Sequence, residues 1–432
     1  MCKLNYFISL SLVLGTLFQP EQIHLSWTEN ENEMRATWVN FLNLETFIRY
    51  RPILCSDIIP DWLSAPSSCT PFNAGEIIYR LQYIYTSVIP NLRPECFYEY
   101  FIETSMTQSE IYMFSGRTPD ASEPYQDAKN PLSMVVYGDL GIGKNSLFVK
   151  NSLMQEIKVR DFLGIIHMGD IAYDMHEDDG MVGDRFLNSI QDISANFAYM
   201  VLPGNHELKH NLTHYRTKFK MPLNSANDGT SFFYSFNLGA AHFIMINTEM
   251  YISDHPDQIL TQYNWLKKDL EIANQNRQAF PWIFVFTHRP LYCSLIEFSE
   301  CTSEAEILKS ALEGLWHEYA VDIMFEAHNH YYERCTPIYK DRVVKSEYDD
   351  FNTHYNANAT LYIISGNGGN NEGHNDPIPE VWQDWTLVMT DEYGYGKLDV
   401  LNKTHVHWTQ YGAVSGDMVD HVWLIKNRLR FY

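Results

Sequence analysis

The sequence predicts two domains, an all-β sandwich followed by a layered α/β domain, and three observations lead there. At 432 residues the chain is long enough to build two separate cores. Residues 22–115 carry short runs in which apolar and polar residues alternate, separated by turn signals. Beyond Pro131 the rhythm changes to fully apolar strand-like runs alternating with helical stretches.

The first element is a targeting segment. Lys3 supplies a short positive region, and Tyr6 to Phe18 is an apolar stretch of signal-peptide length, too short to span a bilayer well. Residues 1–19 are therefore expected to be a signal peptide, which implies a secreted chain, with lysosomal delivery as the alternative. No later window holds the ~18 apolar residues of a membrane span.

Residues 20–116 form the predicted sandwich, with strands at QIHLSW, MRATWV, IIYRLQYIYTSV, CFYEYFIET and EIYMFS. Glu29–Asn32 and Ile89–Asn91 mark turns between them. This region holds no catalytic constellation. Residues 117–131, rich in Pro, Asp and Ser, read as a linker.

Residues 132–432 form the α/β domain. Its strands are MVVYGD, IIHMGD, YMVLPGN, HFIMINT, WIFVFTH and DIMFEAH, with helices expected at 148–158, 181–196, 261–276 and 303–319. In the last helix Ile307, Leu308, Ala311, Leu312, Leu315 and Trp316 share one apolar face. A Gly/Asn-rich loop from Ser365 precedes a final β-rich stretch, 387–411.

Charge and cysteines bound the function. A net charge of −23 argues against a nucleic-acid ligand and against an anionic membrane surface, because no basic stripe could offset it. If Cys2 leaves with the signal segment, six of the seven cysteines remain, an even number that permits disulfides in a secreted chain. Cys293 and Cys301 could close one short loop, and Cys55 and Cys69, bracketing a Pro/Ser-rich segment, are the next pair expected. Sequons at Asn211, Asn358 and Asn402 add weight to a secretory route.

Most α/β strands end on residues that can carry chemistry. In order they are Gly138-Asp139-Leu140-Gly141, Gly169-Asp170-Ile171-Ala172-Tyr173, Gly204-Asn205-His206-Glu207, Thr287-His288-Arg289-Pro290 and Ala327-His328-Asn329-His330. Any one block is weak evidence, since a lone His is usually structural. Five oxygen- and imidazole-rich blocks at strand ends, where ligands of open α/β sheets gather, are a metal constellation. Phosphate-ester hydrolysis needs a hydroxide nucleophile and neutralisation of oxygen charge, and two metals ~4 Å apart supply both. One carboxylate must bridge them, and Asp170 is the choice; a phenolate from Tyr173 favours a hard, oxidised ion such as Fe(III).

The five blocks, in this order, resemble those of the purple acid phosphatases, within the calcineurin-like metallophosphoesterases. Other branches of that superfamily usually carry Asp-x-His in the first block and lack the second-block tyrosine. Val182–Phe186, Arg289–Cys293, Tyr331–Arg334 and Pro20–Ser26 are similar to the animal long form, whose N-terminal domain is fibronectin-III-like. The likeness spans about Pro20 to Lys426. It implies an iron site of Asp139, Asp170, Tyr173 and His330, and a second site for zinc, iron or manganese of Asp170, Asn205, His288 and His328. It gives His206 contact with the substrate phosphate and a part in proton transfer, and it implies an acid phosphatase of small phosphate monoesters. Glu207 reads as support for the ligands.

Three departures stand out. The paired histidines that plant members carry after the ligand matching His288 are absent from Cys293–Cys301; Glu297, Glu300 or His374 could replace them, and the general acid stays unassigned. Ala327 replaces a common glycine, with little consequence expected. Asn370 and Asn371 stand where many members have a cysteine, which leaves Cys335 without its usual partner. Two other readings share these residues: a phosphodiesterase using the same metals, and a secreted binding protein that has lost the chemistry.

Overall fold

The computed structural model of the chain describes residues 18–55, 60–94, 96–117, 132–226, 230–253, 256–295, 299–346, 348–374 and 382–427. Nearly all of the expected signal segment and nearly all of the expected linker lie outside them. The chain forms two compact units. The first comprises the residues up to Arg117 with Met175–Tyr199 and Thr213–Lys220; the second comprises the remainder.

Among the described residues, seven antiparallel strands build the first unit: β1 (Glu21–Trp27), β2 (Met34–Asn40), β3 (Thr46–Ile53), β4 (Leu63–Asn73), β5 (Leu81–Ile89), β6 (Phe97–Thr104) and β7 (Tyr112–Ser115). Their order is β1-β2-β5-β4-β3-β6-β7. The first part of β4 pairs with β3 (Ile48↔Ala65) and the second with β5 (Cys69↔Tyr85), so this strand turns from one layer into the other. Strand β6 alternates half-buried and buried positions along its length, the pattern of a strand with one face on the core. Its outward Glu99 and Glu103 pair with Arg51 and Arg49 of β3 at 2.9 and 2.6 Å. Trp27, Trp38 and Tyr100 fill the interior.

Two expectations fail in this unit. Strands β3 and β4 were not anticipated, and Ile77–Tyr79, read as the start of a strand, are an exposed loop. The backbone N–H groups of Glu76, Ile77 and Ile78 all donate to Asp179 Oδ1 at 2.7–3.1 Å. Those donors therefore serve a carboxylate about a hundred residues away in place of a strand ladder.

Helix Met181–Ser194 belongs to the same unit, and its Gln191 accepts a 3.0 Å bond from Ile23 N. Lys218 is fully buried and donates to Asp184 Oδ1 at 2.7 Å and to Gln22 and Gln82 at 3.1 Å. Burial alone would raise the Asp184 carboxyl, but Lys218, with Gln82 and Arg80, holds it down at about 2.

The second unit carries β8 (Leu132–Tyr137), β9 (Gly164–Met168), β10 (Ala198–Leu202, whose first two residues belong to the first unit), β11 (Tyr234–Leu238), β12 (Ala241–Met245), β13 (Trp282–Phe286) and β14 (Ile323–Glu326). It continues with β15 (Tyr332–Tyr339), β16 (Arg342–Val343), β17 (Thr353–Tyr355), β18 (Thr360–Ser365), β19 (Thr386–Thr390), β20 (Gly394–Val400), β21 (His405–Gly412) and β22 (Met418–Ile425). One sheet runs β17-β22-β21-β20-β8-β9-β10 and the other β11-β12-β13-β14-β18-β15-β16, with β19 also on β15. In the second sheet β12, β13, β14 and β18 are parallel and buried throughout, as their continuous apolar runs require.

The helix expected at 303–319 is interrupted by a π-helical turn at Lys309–Glu313. The extra residue in that turn rotates the apolar face, so Leu308, Leu312, Leu315 and Trp316 are buried while Ile307 is exposed, contrary to expectation. Among the described residues no helix is long and apolar enough to cross a membrane.

Cys293–Cys301 is a disulfide, as expected. The expectation for Cys55 is corrected, because it pairs with Cys96. Ile53 of β3 lies opposite Phe97 of β6, and that register carries Cys55 to Cys96. Cys69 sits in β4 as an exposed free thiol, and Cys335 is free and buried.

Candidate metal centre

The turns that follow β8, β9 and β14 hold the candidate ligands in unusual backbone. Asp139, Asp170, Tyr173 and His328 have φ of 59°, 48°, 59° and 69°, the left-handed region that non-glycine residues avoid. Such strain gathers at functional sites, where surrounding structure overrides local preference. Small neighbours make the approach possible. A Cβ on Gly204 would lie 2.3 Å from Asp170 Oδ1 and 2.8 Å from His288 Nε2. Ala327 fits in place of the usual glycine because the facing residue is Gly138.

All seven predicted ligands come together around two clusters. In the first, Tyr173 OH lies 3.2 Å from Asp139 Oδ1 and 3.0 Å from His330 Nε2. His330 Nδ1 is 2.9 Å from the Gly373 carbonyl. A carbonyl can only accept, so Nδ1 carries the proton and Nε2 presents a lone pair to the centre. Burial pushes the Tyr173 hydroxyl well above its usual value, with Asp139 and Asp170 adding to it. Only a strongly charged cation could hold this group as a phenolate.

The second cluster follows the same logic. His288 Nδ1 donates to the Met168 carbonyl at 2.8 Å. Its Nε2 then faces Asp170 Oδ2 at 3.2 Å, Asn205 Oδ1 at 3.1 Å and His328 Nδ1 at 3.1 Å. Donor atoms of Asp170, His288 and His328 all lie within 4.8 Å of one another. Lone pairs crowded this closely require a positive charge among them. Burial would lower the pKa of His288, yet the Asp170 carboxylate lifts it to about 10, so the field at this point favours a cation. The donor sets thus suit two metal ions, a harder one beside Tyr173 and a borderline one beside the imidazoles.

Supporting residues hold the turns. Glu207 is buried and accepts from Asp170 N, Ile171 N and Gly204 N, each at 2.9 Å. It braces the ligand loops, and burial followed by the Asp170 charge raises its carboxyl to about 7. Arg289 donates to Glu249 at 2.8 and 3.0 Å, pairs with Glu304, and sets its guanidinium 3.3 Å from His328 Nε2.

His206 stands at the rim, its ring 4.5 Å from that of Tyr173 and tilted 44° to it. Its Nδ1 lies 3.1 Å from Asp174, and its Nε2 lies 3.6 Å from Glu372 and 3.9 Å from Asp170. Burial lowers its pKa, but Asp170 and Asp174 outweigh that and the net shift is upward. Asp174 and Glu372 escaped the sequence reading. Asp174 follows the Tyr173 motif directly, and Glu372 lies in the Gly/Asn-rich loop, so adjacency to a block was the available signal. Of the proposed acids, Glu300 lies 3.9 Å from His328 Nε2, and His374 faces the His330 carbonyl at 3.1 Å while stacking on Tyr393. Glu297 lies outside the described residues.

Comparison with known proteins agrees with this geometry. Residues 132–332 match the family model of calcineurin-like phosphoesterases, and residues 359–421 match that of the iron/zinc purple acid phosphatase-like protein C domain. The chain is 32% identical to acid phosphatase type 7 of Danio rerio over 96% of its own length and 93% of the relative's. It is also 32% identical to the Homo sapiens protein of that name, over 94% and 91%. Among solved structures, purple acid phosphatase PPD1 from yellow lupin (Lupinus luteus) superposes with a TM-score of 0.78 at 22% identity, covering 95% of this chain and 75% of that one.

Proposed function

The chain belongs to the purple acid phosphatase family of calcineurin-like phosphoesterases, and from that premise we infer that it is a metal-dependent acid phosphatase hydrolysing small phosphate monoesters. The family implies a binuclear centre of iron and a second metal. The observation that carries the reading is the meeting of Asp139, Tyr173 and His330 beside Asp170, Asn205, His288 and His328. Asp139, Asp170, Tyr173 and His330 would hold Fe(III), and Asp170, Asn205, His288 and His328 would hold zinc, iron or manganese, Asp170 serving both sites. When bound, the pair supplies Lewis acidity and an acidified water nucleophile.

The protein's own groups do the rest. His206, anchored at Nδ1 by Asp174, directs Nε2 toward the centre, where it can donate to a phosphate oxygen and later to the departing alkoxide. Burial of the centre strengthens each of these interactions. Residues 132–432 are proposed as the catalytic domain, and residues 20–116 as a supporting sandwich.

A secretory route, ending outside the cell or in the lysosome, fits the two disulfides and the exposure of all three sequon asparagines, Asn211, Asn358 and Asn402.

Metal analysis with a visible spectrum, beside aryl-phosphate turnover from acid to neutral pH, tests the assignment. Two metals per chain, a tyrosinate-to-iron band lost in Tyr173→Phe, and acid-favoured turnover are expected. Metals without that band would remove iron from Tyr173. Absence of both metal and turnover in folded protein would refute the catalytic reading.

A further inference from the structure

One cavity outside the metal centre has a sequon asparagine in its wall. About 390 Å³ in volume, it lies within the second unit between the turn after Glu207 and the segment following β12. Leu208, Leu212 and Met250 give it an apolar side, and Asn211, Ser253 and Gln258 a polar one. Among the described residues its lining carries no charge, which suits a neutral, amphipathic ligand better than a phosphate or carboxylate. Leu212 and Met250 are 3% and 4% exposed, whereas Asn211 is exposed.

The backbone aims that asparagine. His210, Asn211 and Leu212 occupy the left-handed region, with φ of 53°, 55° and 55°. Asn tolerates this conformation better than most residues do. Behind the cavity, Gln262 bonds both the N–H and the carbonyl of Asn247, at 2.8 and 3.0 Å, and Asn247 Oδ1 accepts from Glu249 N. Asn247 Nδ2 is buried with no hydrogen-bond partner among the described residues. A donor left unpaired beside a neutral cavity asks for an acceptor.

We propose that Asn211 carries an N-linked glycan whose first N-acetylglucosamine seats in this cavity and braces the turn that follows Asn205 and His206. The inference rests on the secretory route proposed above. In the joining step Asn211 Nδ2 bonds to the anomeric carbon of a sugar carried on a polyprenyl diphosphate. The diphosphate leaves with the electron pair of the broken C–O bond, and the amide releases one proton. The acetamido methyl and apolar ring face then meet Leu208, Leu212 and Met250, and the sugar's carbonyl or hydroxyl oxygens meet the amide side of the cavity. The brace acts on the catalytic loop, because Leu208 N bonds Asn205 O and Leu212 N bonds Leu208 O.

The test uses the full chain secreted from a eukaryotic host. Peptide mass spectrometry reads occupancy at Asn211, Asn358 and Asn402. Three preparations follow: fully glycosylated, trimmed by endoglycosidase to single N-acetylglucosamines, and stripped by amidase. Amide hydrogen exchange across 208–212 and 247–253 is expected to match in the first two and to quicken in the third. The stripped form should also lose on the order of 2–4 °C in Tm. Because the amidase step consumes water and leaves aspartate at each stripped site, Asn211→Asp should reproduce the stripped form, and Asn358→Asp and Asn402→Asp should not; comparing preparations of one folded protein keeps the test valid if Asn211→Asp fails to fold. Equal exchange in trimmed and stripped forms overturns the seat. A vacant Asn211 beside an occupied Asn358 or Asn402 overturns it also. Three vacant sites overturn both seat and secretory route, while aryl-phosphate turnover judges the phosphatase reading separately.

Discussion

Asp174 accepts the Nδ1 proton of His206 at 3.1 Å, so it sets both the ring's orientation and the nitrogen that faces the centre. Two substitutions separate those roles. In Asp174→Asn the amide oxygen can still accept the proton, so orientation survives while the charge is lost. Asp174 is one of the groups that raise the His206 pKa, so its removal must lower it. The limb of the kcat/KM profile on which His206 loses its proton therefore moves to lower pH. Asp174→Ala loses orientation as well, and kcat is expected to fall about 10–100-fold, the usual penalty for removing such a partner. A pH profile unmoved in Asp174→Asn would disconnect this carboxylate from the reaction. Glu207 invites a parallel prediction. It receives three N–H donors, and a glutamine there would turn its own N–H groups toward at least one of them. Glu207→Gln should weaken metal retention about 10–100-fold, read by metal competition against a chelator.

Among the elements, the loop after β10 is the tightest. Alanine at Gly204 would press on Asp170 Oδ1 and His288 Nε2 together, so Gly204→Ala should lose metal while its circular dichroism stays that of a folded protein. Metal content equal to wild type would show that the loop can yield. The Cys55–Cys96 bridge closes 41 residues, and in the chain-entropy account its removal in Cys55→Ser/Cys96→Ser costs about 4 kcal/mol, measurable by denaturant unfolding.

The same elements explain what could be read from the sequence. Strand β13 was legible because both its faces are buried, which demands an unbroken apolar run. The seven candidate ligands were legible because the five blocks that hold them each follow such a run. Strand β4 was not, since most of its positions are exposed and it carries Pro66 and Pro71. Its partner β3 hid its alternation in Arg49 and Arg51, whose charges are answered by Glu103 and Glu99 across the sheet. Cys55 pairing with Cys96, Asp179 capping Ile77, and Asp174 meeting His206 are contacts made by tertiary folding, and local periodicity carries no trace of them.

For the whole molecule, the distribution of buried acids determines where in pH the fold is firmest. Glu333 is fully buried, and although Ser294 and Thr386 donate to it at 2.6–3.1 Å, desolvation dominates and its pKa is raised. Burial likewise raises Asp399 and Glu156. A carboxyl whose folded pKa exceeds its unfolded one binds more protons when folded. Its stabilising contribution is complete below the unfolded value near ~4.3 and is lost as pH rises through the folded value. Asp184 works in the opposite sense: held at about 2, it stabilises above the unfolded value near ~3.9 and loses that contribution as pH falls toward 2. Together they place the firmest fold in the mildly acidic range, and self-repulsion among charges summing to −23 at neutral pH acts in the same direction. Metal affinity has a pH dependence of its own, because its ligands must shed protons. A difference between two proteins with the same centre removes that contribution. Glu333→Gln, compared with wild type at equal metal content from pH 4 to 8, isolates the buried acid. Unable to ionise, the glutamine escapes the rising penalty, so its Tm relative to wild type should climb steadily above about pH 4.5. A difference that is flat across that range would mean Glu333 ionises in the folded chain as readily as in the unfolded one, its Ser294 and Thr386 donors having cancelled the cost of burial.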